Sequence, residues 1–310
     1  MAADGKQAGL SKPHDALARK LREQMADSLL PGDSALPAWR LDEAAAFLLE
    51  AAMVRTEGEP SIMLRSTPGG RLMRVAVVND DMPFLVDSVA AAIAAQGLEI
   101  DLLVHPVVAV ERNDGKLVEL PAEGKQRESM IYLEHPRVDA KDRRELKQAL
   151  ATTLADVRAA VADWPKMVAR IDEDAASLAD PEGADLLRWL GSGMLTLLGH
   201  VTRRRDGTTA RALGICRKST RDLLAEDSYA RAFAWFDANG GAGPLIVKAN
   251  RISKVHRRVP LDLFIVPVIE NGRLEALSLH AGVWTSAALA TPPNDVPVLR
   301  RQLAATMAEF

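Results

Sequence analysis

The chain has little cysteine, few aromatic residues and almost no charge imbalance. Among its 310 residues the single cysteine is Cys216. One thiol excludes an internal disulfide and a cysteine-based zinc cluster, and it fits a reducing compartment. The formal net charge is −3. That balance gives no electrostatic case for nucleic acid or an anionic membrane, which favour clustered basic surface. No run of about 18 uncharged apolar residues occurs, so no membrane-spanning helix is expected. The start of the chain lacks the apolar core of a signal peptide. A soluble, cytoplasmic protein is the expectation. Aromatics make up 4% of residues, so cores of small aliphatic side chains are expected.

Chemical motifs are equally scarce. His14, His105, His135, His200, His256 and His280 never fall at His-x-x-x-His or His-Glu-x-x-His spacing, so local spacing supports no metal site. Gly191-Ser-Gly193 lacks the nucleophile-elbow and dinucleotide patterns and reads as a helix stop. Residues 240–243 precede a strand, the wrong order for a dinucleotide loop. No catalytic, cofactor-binding or metal-binding residue is assigned.

What is present is organised around residues 73–110. An apolar strand (73–78) runs into a polar turn, Asn79-Asp80-Asp81, and Met82-Pro83 lead into a helix. Leu85, Val89 and Ile93 recur every four positions, which buries one helix face against a sheet. Asp81 is placed near the N-cap, Pro83 in the first turn and Gly97 at the C-terminal cap. A helix N-terminus offers free N–H donors to an anion. Asn79, Asp80, Asp81, Met82, Phe84 and Leu85 are therefore the candidate effector or interface site. The competing reading is that the acids simply cap the helix.

Around this unit, residues 1–55 read as a helical lead-in. One helix over 10–30 carries Leu10, Leu17, Leu21 and Leu29, with Pro31, Gly32 and Pro37 as its break. A second runs over 41–55. Strand 61–65 pairs with 71–78 as a hairpin. The strand over 98–110 is interrupted by Pro106, which calls for an edge or a bulge. Asn113-Asp114-Gly115 marks another hairpin. A long helix from Asp139 to Trp164 shows a stripe of Leu146, Leu150, Leu154, Val157 and Val161, and Pro165 starts a further helix.

The first domain is expected over 56–164, with a connecting helix at 165–180. The second domain is expected over 181–290, from mainly antiparallel strands and short helices at 219–226 and 228–237. Val255–Val259 is expected as one of its strands, and Asn271-Gly272 as a turn. A linker and a helix still running at Phe310 occupy 291–310, which suggests a longer natural protein. Asp172-Glu-Asp174 reads as a solvated helix face, the basic run around Lys248 to Arg258 as a solvated or docking face, and Cys216 as core.

Several blocks resemble a known family. Residues 77–88 (VVNDDMPFLVDS), Gly97 and 105–108 (HPVV) look like the N-terminal region of large bacterial NAD-specific glutamate dehydrogenases. Residues 128–134, 187–190, 197–199, 245–250, 255–257, 283–286 and 297–301 follow in the same order. The resemblance covers about residues 60–305. It implies an ACT-like antiparallel sheet with helices on one face, then a second α+β domain of PAS-like form.

It further implies a noncatalytic regulatory and oligomer-building segment whose partner is a downstream catalytic domain of the same polypeptide. That full enzyme would use NAD to oxidise glutamate to 2-oxoglutarate in amino-acid catabolism, with its catalytic residues beyond Phe310. A homo-oligomer and an amino-acid effector are the expected partners. The alternative is a free-standing amino-acid-binding ACT regulator. Two departures stand out. ACT domains that bind amino acids usually place Gly after the proline of the first turn, where this chain has Phe84. Residues 191–200 also lack the family's aromatic and acidic residues.

Overall fold

The computed structural model describes residues 12–29, 36–67 and 69–309. The chain divides after Leu154 into two compact units. Each has its own five-stranded antiparallel sheet.

In the first unit, α1 (Lys12–Asp27) and α2 (Ala38–Ala52) belong to the core. Leu17, Leu21 and Met25 stand four residues apart and are buried, as a helical period requires. They join Leu48, Ala76, Val78, Met130 and Tyr132 in one apolar cluster. Leu10 of the expected first helix, and Pro31 and Gly32 of its expected break, lie outside the described residues.

The strands follow as β1 (Ser61–Ser66) and β2 (Leu72–Asp80), then α3 (Leu85–Ala94), β3 (Leu102–Val104) and β4 (Val107–Ala109). The hairpin β5 (Glu111–Asn113) and β6 (Lys116–Glu119) precedes β7 (Arg127–Pro136). The sheet order is β1-β2-β7-β3, with β4 also on β7. Pro106 splits the expected long strand into two pieces on the same partner, while its carbonyl still accepts from the Met130 N–H at 3.0 Å. A proline without an N–H is tolerated at such an edge. Asp114 and Gly115 have φ of 48° and 77°, the pair of positive values that a type I′ hairpin demands. Met73, Val75, Val77, Ile131 and Leu133, on the face away from α1 and α2, are also closed to solvent.

Helix α4 (Ala140–Ser177) starts on an Asp139 cap, whose carboxylate accepts the Lys141 and Asp142 N–H groups at 2.8 Å. Pro165 was expected to restart a helix, but it stands inside this continuous one.

The second unit contains α5 (Pro181–Trp189), capped by Asp180. A wide turn with Gly193 at φ 102° follows. Then come β8 (Leu195–Arg204), β9 (Thr209–Gly214), α6 (Glu226–Asn239), β10 (Leu245–Ile252), β11 (Pro260–Glu270), β12 (Arg273–Trp284), α7 (Ser286–Ala290) and α8 (Leu299–Ala308). The sheet order is β10-β11-β12-β8-β9. Asn271 and Gly272 form the expected turn at φ 51° and 75°.

Two expected elements do not form. The helix over 219–226 is absent because other groups capture its backbone: Thr220 N–H returns to the Ile215 carbonyl, and Ser219 N–H donates to the distant Asp156. Side-chain acceptors compete with helical bonds in this way. The strand over 255–259 is replaced by tight turns, Arg257 N–H to the Val255 carbonyl at 2.8 Å and Val259 N–H to Arg257 at 3.1 Å. His256 there has φ 62°, incompatible with a ladder. Among the described residues no helix is long and apolar enough to cross a membrane.

Candidate functional site

The β2–α3 turn holds all six candidate residues. Asn79 is buried, and its side-chain amide donates to the Asp80 carbonyl at 3.0 Å. Asp81 is exposed and donates its N–H to the Arg127 carbonyl at 3.1 Å. Met82 is half-buried and Leu85 is buried. The expected Asp81 cap is not made. The N-cap position is Phe84, with no side-chain cap, and Pro83 precedes the helix. The reason is geometric: Phe84 takes φ 71°, so the chain enters α3 through a left-handed residue. That conformation favours glycine and costs an ordinary residue about 1–2 kcal/mol. The turn thus keeps a backbone suited to glycine while carrying a large side chain.

Asp80 belongs to a buried ion network. Arg55 Nη2 lies 2.5 Å from Asp80 Oδ1 and 2.6 Å from Glu128 Oε1. Arg112 grips Glu128 with two bonds of 2.7 Å, from Nε and Nη2. Arg55 Nη1 donates to the Glu59 carbonyl and Arg112 Nη1 to the Gly115 carbonyl. The Glu128 side chain is 0% exposed and that of Arg55 1%. Burial opposes the charge on Arg55, but bonds to Asp80 and Glu128 outweigh it and raise its pKa. Asp80 is therefore committed to holding the end of β2, which makes it a poor free ligand. Sequence reasoning missed Arg55 and Arg112, since neither carries a local signal.

His105 hydrogen-bonds Ser129, and burial lowers its pKa against the opposing pull of Asp81. Beside α2 lies an open cleft of about 500 Å³ lined by Trp39, Arg40, Glu43, Arg71, Arg74 and Glu134. Arg40 pairs with Glu134, and Arg74 with Glu43. Tyr132 Oη donates to Glu134 at 2.5 Å. The cleft thus offers both signs of charge beside an exposed indole.

In the second unit, Asp172 and Glu173 are exposed as expected, but Asp174 is not solvated. It is 3% exposed and contacts His280, Ser278 and Arg170. The last turns of α4 carry Met167, Ile171 and Ala175 into the core, and Asp174 goes with them. Ser278 Oγ donates to Asp174, not to His280, so no hydroxyl is activated in the manner of a Ser-His-Asp triad. Cys216 is buried, with its thiol pKa pushed up to about 12 by burial, as fits core and not a nucleophile.

Comparison with known proteins gives a consistent picture. Residues 42–150 match the family described as "Glutamate dehydrogenase, ACT1 domain". The NAD-specific glutamate dehydrogenase of Pseudomonas aeruginosa is 30% identical over 260 residues, 75% of this chain and 16% of that enzyme. The Halomonas elongata enzyme of the same name is 25% identical over 269 residues, with the same shares. That of Mycobacterium tuberculosis is 29% identical over 236 residues, 64% of this chain and 14% of the enzyme. The chain therefore spans about one-sixth of the length of these relatives. An RNA-binding light-oxygen-voltage receptor aligns with 94% of the chain at 14% identity and a TM-score of 0.20, too low to assign the second unit a fold family. Residues 42–150 are thus similar to a glutamate dehydrogenase ACT1 domain, and the chain is similar to a segment of these large NAD-specific enzymes.

Proposed function

We propose that this chain, similar over residues 42–150 to a glutamate dehydrogenase ACT1 domain, is a noncatalytic regulatory and assembly segment. Its place is ahead of the catalytic domain of a large NAD-dependent glutamate dehydrogenase. The observation that carries the reading is the β2–α3 turn. Phe84 occupies a glycine-type backbone position, and Asp80 is tied into the Arg55–Glu128 network. Such a turn suits a contact face between protein surfaces better than a backbone cradle for a small ligand. The oxidation of glutamate, the use of NAD and a cytoplasmic location belong to the whole enzyme in this reading. The domain limits of 56–164 and 181–290 remain the working division for dissecting it.

A second reading, an amino-acid-sensing regulator, is favoured by the cleft beside α2. A free amino acid carries a carboxylate and an ammonium, and Arg71 and Glu43 line the same opening. Calorimetric titration of the chain with a panel of amino acids separates the two. No heat at millimolar ligand is expected under the first reading. Saturable heat abolished by Arg71→Ala would establish the second.

A further inference from the structure

The centre of the second unit holds an incomplete set of polar groups. His200 on β8 faces His280 on β12 across the sheet, and Thr202 faces Ser278 two residues along. Residues two apart on a strand share a face, so these four side chains form one patch. Asp174 reaches it from α4, with His280 Nε2 at 2.7 Å from Asp174 Oδ2. His200, His280 and Ser278 are all 0% exposed.

The patch is not satisfied by its own bonds. Neither ring nitrogen of His200 reaches a partner with hydrogen-bond geometry, nor does His280 Nδ1, Thr202 Oγ1 or Arg170 Nε. An unsatisfied buried polar group costs about 1–3 kcal/mol. Leucine at position 200 would avoid that cost, so the imidazole needs another reason to be there. An imidazole nitrogen that lacks a hydrogen-bond partner can offer its lone pair to an ion.

We propose that Asp174, His200 and His280 hold a divalent transition-metal ion of the zinc class. One donor atom from each lies within 4.8 Å of the others. Tetrahedral zinc with bonds near 2.0–2.1 Å sets its donors about 3.3 Å apart, so the widest separation must close by about 1.5 Å. Two imidazoles and one carboxylate are a donor set for zinc and its neighbours, not for calcium or magnesium. Supporting contacts are in place. Arg170 Nη2 holds the other carboxylate oxygen, Asp174 Oδ1, at 2.6 Å, and Ser278 donates to Oδ2. Such outer contacts orient ligating carboxylates. Arg170 also opposes a cation, but Glu173 at 2.8 Å offsets part of its charge. Water completes the coordination. With every ligand buried, the ion enters as the unit folds, so binding and folding are coupled.

Cobalt(II) titration of the untagged, chelator-treated full chain tests this without any variant. The expected result is one equivalent bound, with visible absorption bands of a four- or five-coordinate site that zinc abolishes. His200→Gln and Asp174→Asn are expected to weaken cobalt binding by at least about 100-fold, and Ser278→Ala by about 10-fold. Absence of saturable binding at millimolar cobalt would overturn the proposal and leave the patch to ordered water. Binding that survives both ligand variants but disappears on replacing the half-buried His14, His105 and His256 would overturn it equally.

Discussion

The two units bury charge in opposite ways. In the first, Glu128 receives four guanidinium bonds from Arg55 and Arg112. In the second, the pair His280 and Asp174 sits beside polar atoms that lack partners, both ring nitrogens of His200 among them. The first centre is closed by its own side chains. It joins the end of β2, the end of β7 and the β5–β6 hairpin, so its role is to lock the sheet that carries the β2–α3 turn. The second centre has donors to spare, and spare buried donors point to something outside the chain. The lesson is that burial of a polar cluster does not itself mark a site. The count of unpaired atoms within it does.

Removing Glu128 should break this contrast most visibly. Glu128→Ala leaves two buried guanidiniums without their main partner, and loss of one member of a buried pair costs about 3–5 kcal/mol. Chemical denaturation of the chain should register that loss in the first unit. In the metal-free chain, His200→Leu is expected to act in the other direction. It removes two unpaired nitrogens and should leave stability unchanged or raise it by about 1–3 kcal/mol. If His200→Leu were as damaging as Glu128→Ala, the two centres would be alike and the contrast would fail.

Much of the fold was legible locally. The Asn113-Asp114-Gly115 and Asn271-Gly272 turns demand positive φ, and both adopt it. Pro106 announced an interrupted edge strand because it lacks a donor. The stripe Leu146, Leu150, Leu154 on α4 is buried as its period requires. One failure came from tight local turns at 255–259 and another where a distant side chain captured the backbone. Ser219 turns towards Asp156, 63 positions earlier, and no local pattern reveals that.

The site was legible only in outline. The β2–α3 turn could be located from residues 79–85, but its commitment to Arg55 could not, because the partner precedes β1. The sequence placed Asp174 in a solvated acidic run, since its neighbours Asp172 and Glu173 are indeed exposed. Its burial depends on which way α4 rolls onto the second sheet. His200 and His280 lie eighty residues apart and meet only through the pairing of β8 with β12. Motif spacing therefore could not find them, whereas strand register does.

The central claim is that this segment regulates and assembles an enzyme whose chemistry lies elsewhere. Its most direct test is removal of the matched segment from the Pseudomonas aeruginosa NAD-specific glutamate dehydrogenase. Glutamate-dependent NADH formation per subunit and assembly size are then measured together. Turnover is expected to persist while the assembly state changes. Loss of all turnover in an enzyme that remains folded and fully assembled would contradict the claim.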